Sequence, residues 1–160
     1  TAESPDMDLL LWRHAHARDA NPGEPDWQRP LTAKGRRQAE KMGDWLRRYL
    51  PANTLVLCSP AVRALETVHA LRQPFQLCDA IAPEGNVTDL LHASQWPESP
   101  VPVLMVGHQP TLSQAVSELL GLTQASPLSF RKGAVWWLRF TRGQSGHKIQ
   151  LLTVIDPEFL

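Results

Sequence analysis

The stretch DLLLWRHAHA, Asp8 to Ala17, decides how the rest of the chain is read. Leu9, Leu10, Leu11 and Trp12 make a continuous apolar run, as in strands covered on both faces. Arg13, His14 and His16 follow at once, where a core strand ordinarily runs into turn residues. A buried strand that delivers such groups to its carboxyl end suggests an open α/β sheet, whose ligands bind beyond that edge.

Working outward, the same arrangement recurs. TLVLC (54–58) is a short apolar run followed by Ser59-Pro60, which predicts a strand and then a helix capped by Ser59, with Pro60 in its first turn. FQLC (75–78) predicts a third strand and VPVLMVG (101–107) a fourth, which runs into His108. Pro110 then opens a helix, with Leu112, Ala115, Val116, Leu119 and Leu120 at i, i+3, i+4, i+7 and i+8. Between the first two strands, Thr32 caps a helix to about Leu50. Ala39, Met42, Trp45, Leu46, Tyr49 and Leu50 share one face of it. Its basic-rich run of charges, Lys34 to Arg48, reads as a solvated surface. Residues 18–30 form a loop rich in Pro, Gly, Asp and Asn, and 81–100 an irregular stretch with a helix near 86–94. At the end, AVWWLRF and HKIQLLTVI around TRGQSG predict a β-hairpin. The expected fold is α/β: a three-layer α/β/α sandwich with a mostly parallel central sheet and a C-terminal β-hairpin, one domain over 1–160.

Composition narrows the classes of partner. With 42% hydrophobic and 20% charged residues and a net charge of zero, the chain lacks the basic footprint of a nucleic-acid binder. No apolar run approaches the roughly 20 residues that span a bilayer. TAESPDMD at the start shows neither a basic nor an apolar leader region, so no signal peptide is expected. Cys58 and Cys78 sit in strand-like contexts and are expected to be two buried free thiols, which fits the cytoplasm.

Three strand ends then carry the chemistry. They bring Arg13 and His14, Arg63, and His108 toward one edge of the sheet. Arginine forks match phosphate oxygens in a bidentate way, and helix N-termini after Ser59 and near Pro110 favour an anion. The implied ligand is a phosphoryl group. A neutral imidazole near pH 7 is a competent nucleophile toward phosphorus, and a second, protonated by the anion, stabilises the charge on its oxygens. With two arginines and a histidinium present, no metal and no other cofactor is needed. The His14-Ala15-His16 spacing also suits zinc, but Arg13 beside it would repel a cation. His16, His69, His92 and His147 read as surface or packing residues.

Taken in order, LLLWRHAHA, RPLTAKGRRQA, CSPAVRALETV and VLMVGHQP resemble the motifs of the histidine phosphatase superfamily, also called phosphoglycerate mutase-like. The short chain, without inserted cap domains, is most similar to its SixA-type phosphohistidine phosphatases. The resemblance covers roughly residues 8–155. It implies His14 as nucleophile, Arg13, Arg63 and His108 as the phosphate pocket, and Arg29 on a loop brought over the site as a further phosphate-binding residue. The superfamily's proton donor is an acidic residue after the third strand. There DAIAPEGNVTD offers Asp79, Glu84 and Asp89, of which Glu84 is the best placed.

The function so implied is a metal-independent phosphatase with a phosphohistidine intermediate on His14, acting on phosphohistidine in a signalling protein. The alternatives are a phosphomonoesterase for a small phosphometabolite and a non-catalytic phospho-ligand binding module on the same fold. The short loops at 18–30 and 81–100 favour an open site, hence a phosphorylated protein over a small phosphorylated substrate. Neither nucleic acid nor membrane is expected as a partner.

Overall fold

The computed structural model describes residues 6–123 and 128–160. Six strands form one sheet in the order β3-β2-β4-β1-β5-β6. They are β1 (Met7–Arg13), β2 (Leu55–Cys58), β3 (Gln76–Leu77), β4 (Val103–Gly107), β5 (Val135–Gly143) and β6 (Gly146–Ile155). The first four run parallel to one another, whereas β5 pairs antiparallel with both β1 and β6, the latter pair forming the C-terminal hairpin. Four helices complete the fold: α1 (Ala33–Tyr49), α2 (Val62–His69), α3 (Val87–Ser94) and α4 (Thr111–Leu120).

Alternation along β1 explains the layers. Leu9 and Leu11 enter a core built with Leu90 of α3 and Leu112, Ala115 and Val116 of α4. Leu10 and Trp12, one residue out of step, enter a second core with Met42 and Leu46 of α1 and Ala64 and Val68 of α2. A strand apolar on both sides is therefore covered on both sides, giving the predicted three layers. Where α1 passes α2, a Cβ on Gly43 would collide with the Ala70 carbonyl, so only glycine permits that approach. Among the described residues no helix is long and apolar enough to cross a membrane.

Register positions the site. Arg13 lies opposite Gly107 in the β1–β4 pair, and Cys58 opposite Val106 in the β2–β4 pair. The next residues, His14, His108 and Ser59, therefore emerge together at the carboxyl edge.

Several expectations are corrected. Thr32 caps α1 as predicted, its Oγ1 accepting from the Gly35 amide, but Ser59 does not cap α2. That helix begins at Val62, with Ala61 as its cap residue. Tyr49 is exposed at the last turn of α1, lying against the Trp45 ring rather than in the core. The third strand shrinks to two residues at the sheet edge, so Cys78 is only half-buried, while Cys58 is buried; both are free thiols. The fourth strand starts at Val103 rather than 101. TRG belongs to β5, which leaves Gln144 and Ser145 as a tight hairpin turn.

Candidate active site

The backbone after β1 is held from three sides. The His14 amide donates to the Gly107 carbonyl (3.1 Å), and the Gly133 amide, at a φ of +78°, donates to both the Arg13 and His14 carbonyls (3.1 Å each). The Ala15 amide donates to Thr67 Oγ1 (3.0 Å), whose own hydroxyl donates to the Arg63 carbonyl (2.7 Å). The turn carrying His14 is thereby tied to the helix carrying Arg63.

Arg13, His14, Arg29, Arg63 and His108 line one cavity of about 250 Å³, together with Ala17, Pro83, Gln109 and Lys132. His14, Arg63 and His108 are 7%, 4% and 4% exposed, so the reactive groups form its floor. The two imidazole rings lie 5.1 Å apart, centroid to centroid.

Hydrogen bonding fixes the state of His14. Its Nδ1 is 2.7 Å from the Ala15 carbonyl, which can only accept, so Nδ1 carries the proton. In the neutral ring Nε2 then keeps its lone pair. Burial pushes the pKa of His14 down to about 3; the bond to Ala15 opposes this, and Arg63, Arg13 and Arg29 add to it. His108 is likewise pushed down to about 3, by burial first and then by His14, Arg63 and Arg13, against Asp26. Both imidazoles are therefore neutral at pH 7 until an anion supplies the compensating charge.

The second histidine has a partner the sequence did not disclose. His108 Nε2 and the buried Ser59 hydroxyl are 2.7 Å apart, and Ser59 Oγ also accepts from the Ala61 amide (3.2 Å). A hydroxyl both donates and accepts, so it holds the ring in either protonation state. Arg13 donates through Nη1 to the Phe130 carbonyl (2.7 Å). Arg13 Nε, Arg63 Nε and His108 Nδ1 are buried without a partner, an unusual concentration of unmet polar groups around one cavity.

Asp26, in a short 3-10 turn of the 18–30 loop, was also missed. Its carboxylate takes Arg63 Nη2 at Oδ2 (3.0 Å) and Arg29 Nε at Oδ1 (2.9 Å), and its carbonyl takes Arg63 Nη1 (3.0 Å). The i, i+3 pairing of Asp26 with Arg29 was the only local signal for it. Lys132, which lines the cavity from the segment before β5, gave none.

The other candidates lie elsewhere. Glu84 is exposed and does not line the cavity, although its neighbour Pro83 does. Asp79 and Asp89 are exposed, and Asp89 bonds Asn86. His16 turns aside from His14: its Nδ1 lies 2.7 Å from Thr32 Oγ1, and it faces a neighbouring groove. A Cβ on Gly35 would strike the His16 carbonyl, which explains how tightly this turn packs on α1. Among the described residues no group of three or more His, Cys, Asp or Glu side chains is arranged to hold a metal.

Comparison with known proteins agrees with this architecture. A family profile described as the histidine phosphatase superfamily (branch 1) matches residues 9–84. A phosphohistidine phosphatase SixA homolog of Haemophilus influenzae is 32% identical over 162 residues, covering 91% of this chain and 93% of that protein. A SixA structure from Nakamurella multipartitia superposes with a TM-score of 0.76 at 32% identity, covering 98% of this chain and 99% of that one. The structure of the protein histidine phosphatase SixA complexed with tungstate gives a TM-score of 0.76 at 25% identity, covering 96% and 99%. Similarity of this extent, joined to the motifs and the fold, means that the chain belongs to the histidine phosphatase superfamily.

Proposed function

We propose that this chain, as one domain, is a phosphohistidine phosphatase that acts in the cytoplasm on a phosphorylated protein and needs no metal. The observation that carries the reading is the His14 Nδ1 bond to the Ala15 carbonyl, which leaves Nε2 as a free lone pair on the floor of a cavity ringed by cations. Tungstate, found with a SixA in the related structure, is a tetrahedral oxyanion of the same shape class as phosphate, which supports a phosphoryl ligand.

In this mechanism His14 Nε2 attacks phosphorus as the bond from phosphorus to the substrate's imidazole nitrogen breaks. The leaving imidazole takes a proton, and the phosphoryl group remains on His14. Water then attacks the phosphoenzyme, releasing inorganic phosphate and restoring His14. Arg13, Arg63 and His108, which takes up a proton from solvent once the anion is bound, stabilise the equatorial oxygens, and Arg29 adds charge from the loop. These side chains supply the charge neutralisation that a metal provides elsewhere. A neutral His14 is the reactive form, so the depression of its pKa serves the chemistry.

Brief incubation with labelled phosphohistidine protein and rapid quenching should give an acid-labile, alkali-stable label. His14→Ala should abolish both label and turnover, and EDTA should leave turnover unchanged. Wild-type turnover by His14→Ala would refute the assignment, and loss in EDTA restored by zinc would refute metal independence.

A further inference from the structure

The basic run of α1 is not uniform. Ten of the sixteen Lys and Arg side chains have a carboxylate within ion-pairing distance among the described residues, including Arg36, Arg47 and Arg48 on that helix. The six that do not are Arg13, Lys34, Arg37, Lys41, Lys132 and Lys148. All but Lys148 line a single groove of about 600 Å³. Lys34, Arg37 and Lys41 stand at i, i+3 and i+7 along one flank of α1, and all three are exposed. The groove's own acids, Asp156 and Glu158, both pair with Arg131. Among the described residues, a chain of zero net charge has thus gathered nearly all the cations without an ion-pair partner in one place.

That place adjoins the phosphate cavity, since Arg13 and Lys132 line both. Resting on the phosphohistidine reading above, we infer that the groove is the docking surface for an acidic face of the phosphoprotein, next to its phosphohistidine. The span argues against a small ligand: Lys34 and Lys41 are separated by roughly 10 Å along the helix, beyond the reach of a phosphoryl group seated at His14. The chemistry argues against nucleic acid, because the groove's aromatic, Phe130, is buried and offers no face for a base. A concave groove also does not meet the surface of a bilayer. Exposed lysines on flexible stems give salt-sensitive attraction and faster encounter, which suits a transient protein substrate.

The test uses two helical peptides with one phosphohistidine each, carrying glutamates three, four and seven residues away or glutamines in their place. Phosphoimidazole serves as the small substrate. The protein should favour the glutamate peptide by about tenfold in kcat/KM at low salt. Lys34→Glu/Lys41→Glu should erase the preference while phosphoimidazole turnover stays unchanged, and Lys34→Gln/Lys41→Gln should weaken it. No preference, or one that survives charge reversal, overturns the docking surface and leaves the phosphohistidine reading standing. Failure to turn over all three substrates sinks that reading instead. The groove is then judged by fluorescence anisotropy with the unphosphorylated glutamate peptide, whose Kd should rise about tenfold on charge reversal; an unchanged Kd overturns it. Tighter binding of a DNA oligomer or of phosphatidylserine vesicles, lost on the same reversal, overturns the choice of partner.

Discussion

Arg63 and Asp26 meet through two hydrogen bonds of 3.0 Å, one to the carboxylate and one to the backbone carbonyl, while the other carboxylate oxygen holds Arg29. One acidic side chain in the 18–30 loop therefore fixes two guanidinium groups of the candidate phosphate cavity. Partial burial alone would raise the Asp26 pKa, but Arg63 and Arg29 outweigh it and keep the carboxyl below its ordinary value. Asp26→Asn replaces one acceptor oxygen by an amide that faces a guanidinium. It should lower kcat/KM by roughly tenfold, as expected when a charged contact loses its fixed geometry. Wild-type kcat/KM in this variant would show that the arginines need no such anchor.

The paired histidines give a stability signature with a definite sign. Their folded pKa values near 3 lie below the unfolded value of 6.5, so the unfolded chain takes up protons first as the pH falls. Their contribution is whole above pH 6.5 and is lost progressively toward pH 3. At pH 5 the loss is on the order of 2 kcal/mol per histidine. Urea unfolding should show stability falling from pH 7 to 5, and His14→Asn/His108→Asn should flatten that fall. An unaltered slope in the double variant would mean that other groups carry it.

The same depression links anion binding to protons. Inorganic phosphate or tungstate in the cavity should raise the pKa of His108 through the charge it brings. Affinity should therefore increase as the pH drops from 8 to 6, with proton uptake visible by calorimetry in buffers of different ionisation enthalpy. Binding without uptake would show that His108 stays neutral beside the anion.

Ser59 stands behind His108 as a positioning residue. Ser59→Ala removes the 2.7 Å partner of Nε2 and leaves a buried ring nitrogen unpaired. The expected result is a kcat lowered by about tenfold with little change in KM, because the ring is needed most as charge shifts onto the phosphoryl oxygens. Ser59→Thr should recover part of the rate. A fall in thermal stability with kcat intact would reduce Ser59 to a structural role.

The sequence was most legible where chemistry and periodicity coincide. LLLW followed by Arg13-His14, and VLMVG followed by His108, announce both the strand and the group it delivers, and parallel pairing does the rest. Ser59 was visible but misassigned, because Ser-Pro before an apolar run is also a helix start. Asp26 and Lys132 were hidden for another reason. They belong to segments outside the main strands and helices, whose place over the cavity depends on tertiary bonds such as Asp26 to Arg63. The two-sided division of charge on α1 was legible only in part: Asp44 pairs with Arg47 and Arg48 at helical spacing, but Glu66, the partner of Arg36, comes from α2.

Substitution of Glu84 should separate the substrate classes. An alkoxide leaving from phosphorus is strongly basic and needs a positioned acid, whereas the imidazole of a phosphohistidine leaves readily once protonated and takes that proton from water. Glu84 is exposed and sits beside the cavity wall rather than in it, its neighbour Pro83 being the residue that lines the cavity. Glu84→Gln should therefore leave phosphohistidine hydrolysis within about twofold of wild type, while any hydrolysis of alkyl phosphates, which requires the loop to carry Glu84 to the leaving oxygen, falls by tenfold or more. The comparison is made on the same preparation, with kcat measured for both substrates. Faster wild-type cleavage of a sugar phosphate than of a phosphohistidine protein, abolished by Glu84→Gln, would overturn the phosphohistidine preference in favour of a phosphomonoesterase. Equal losses on both substrates, with an unchanged melting temperature, would make Glu84 a proton donor to either leaving group and require the loop bearing it to move inward on binding.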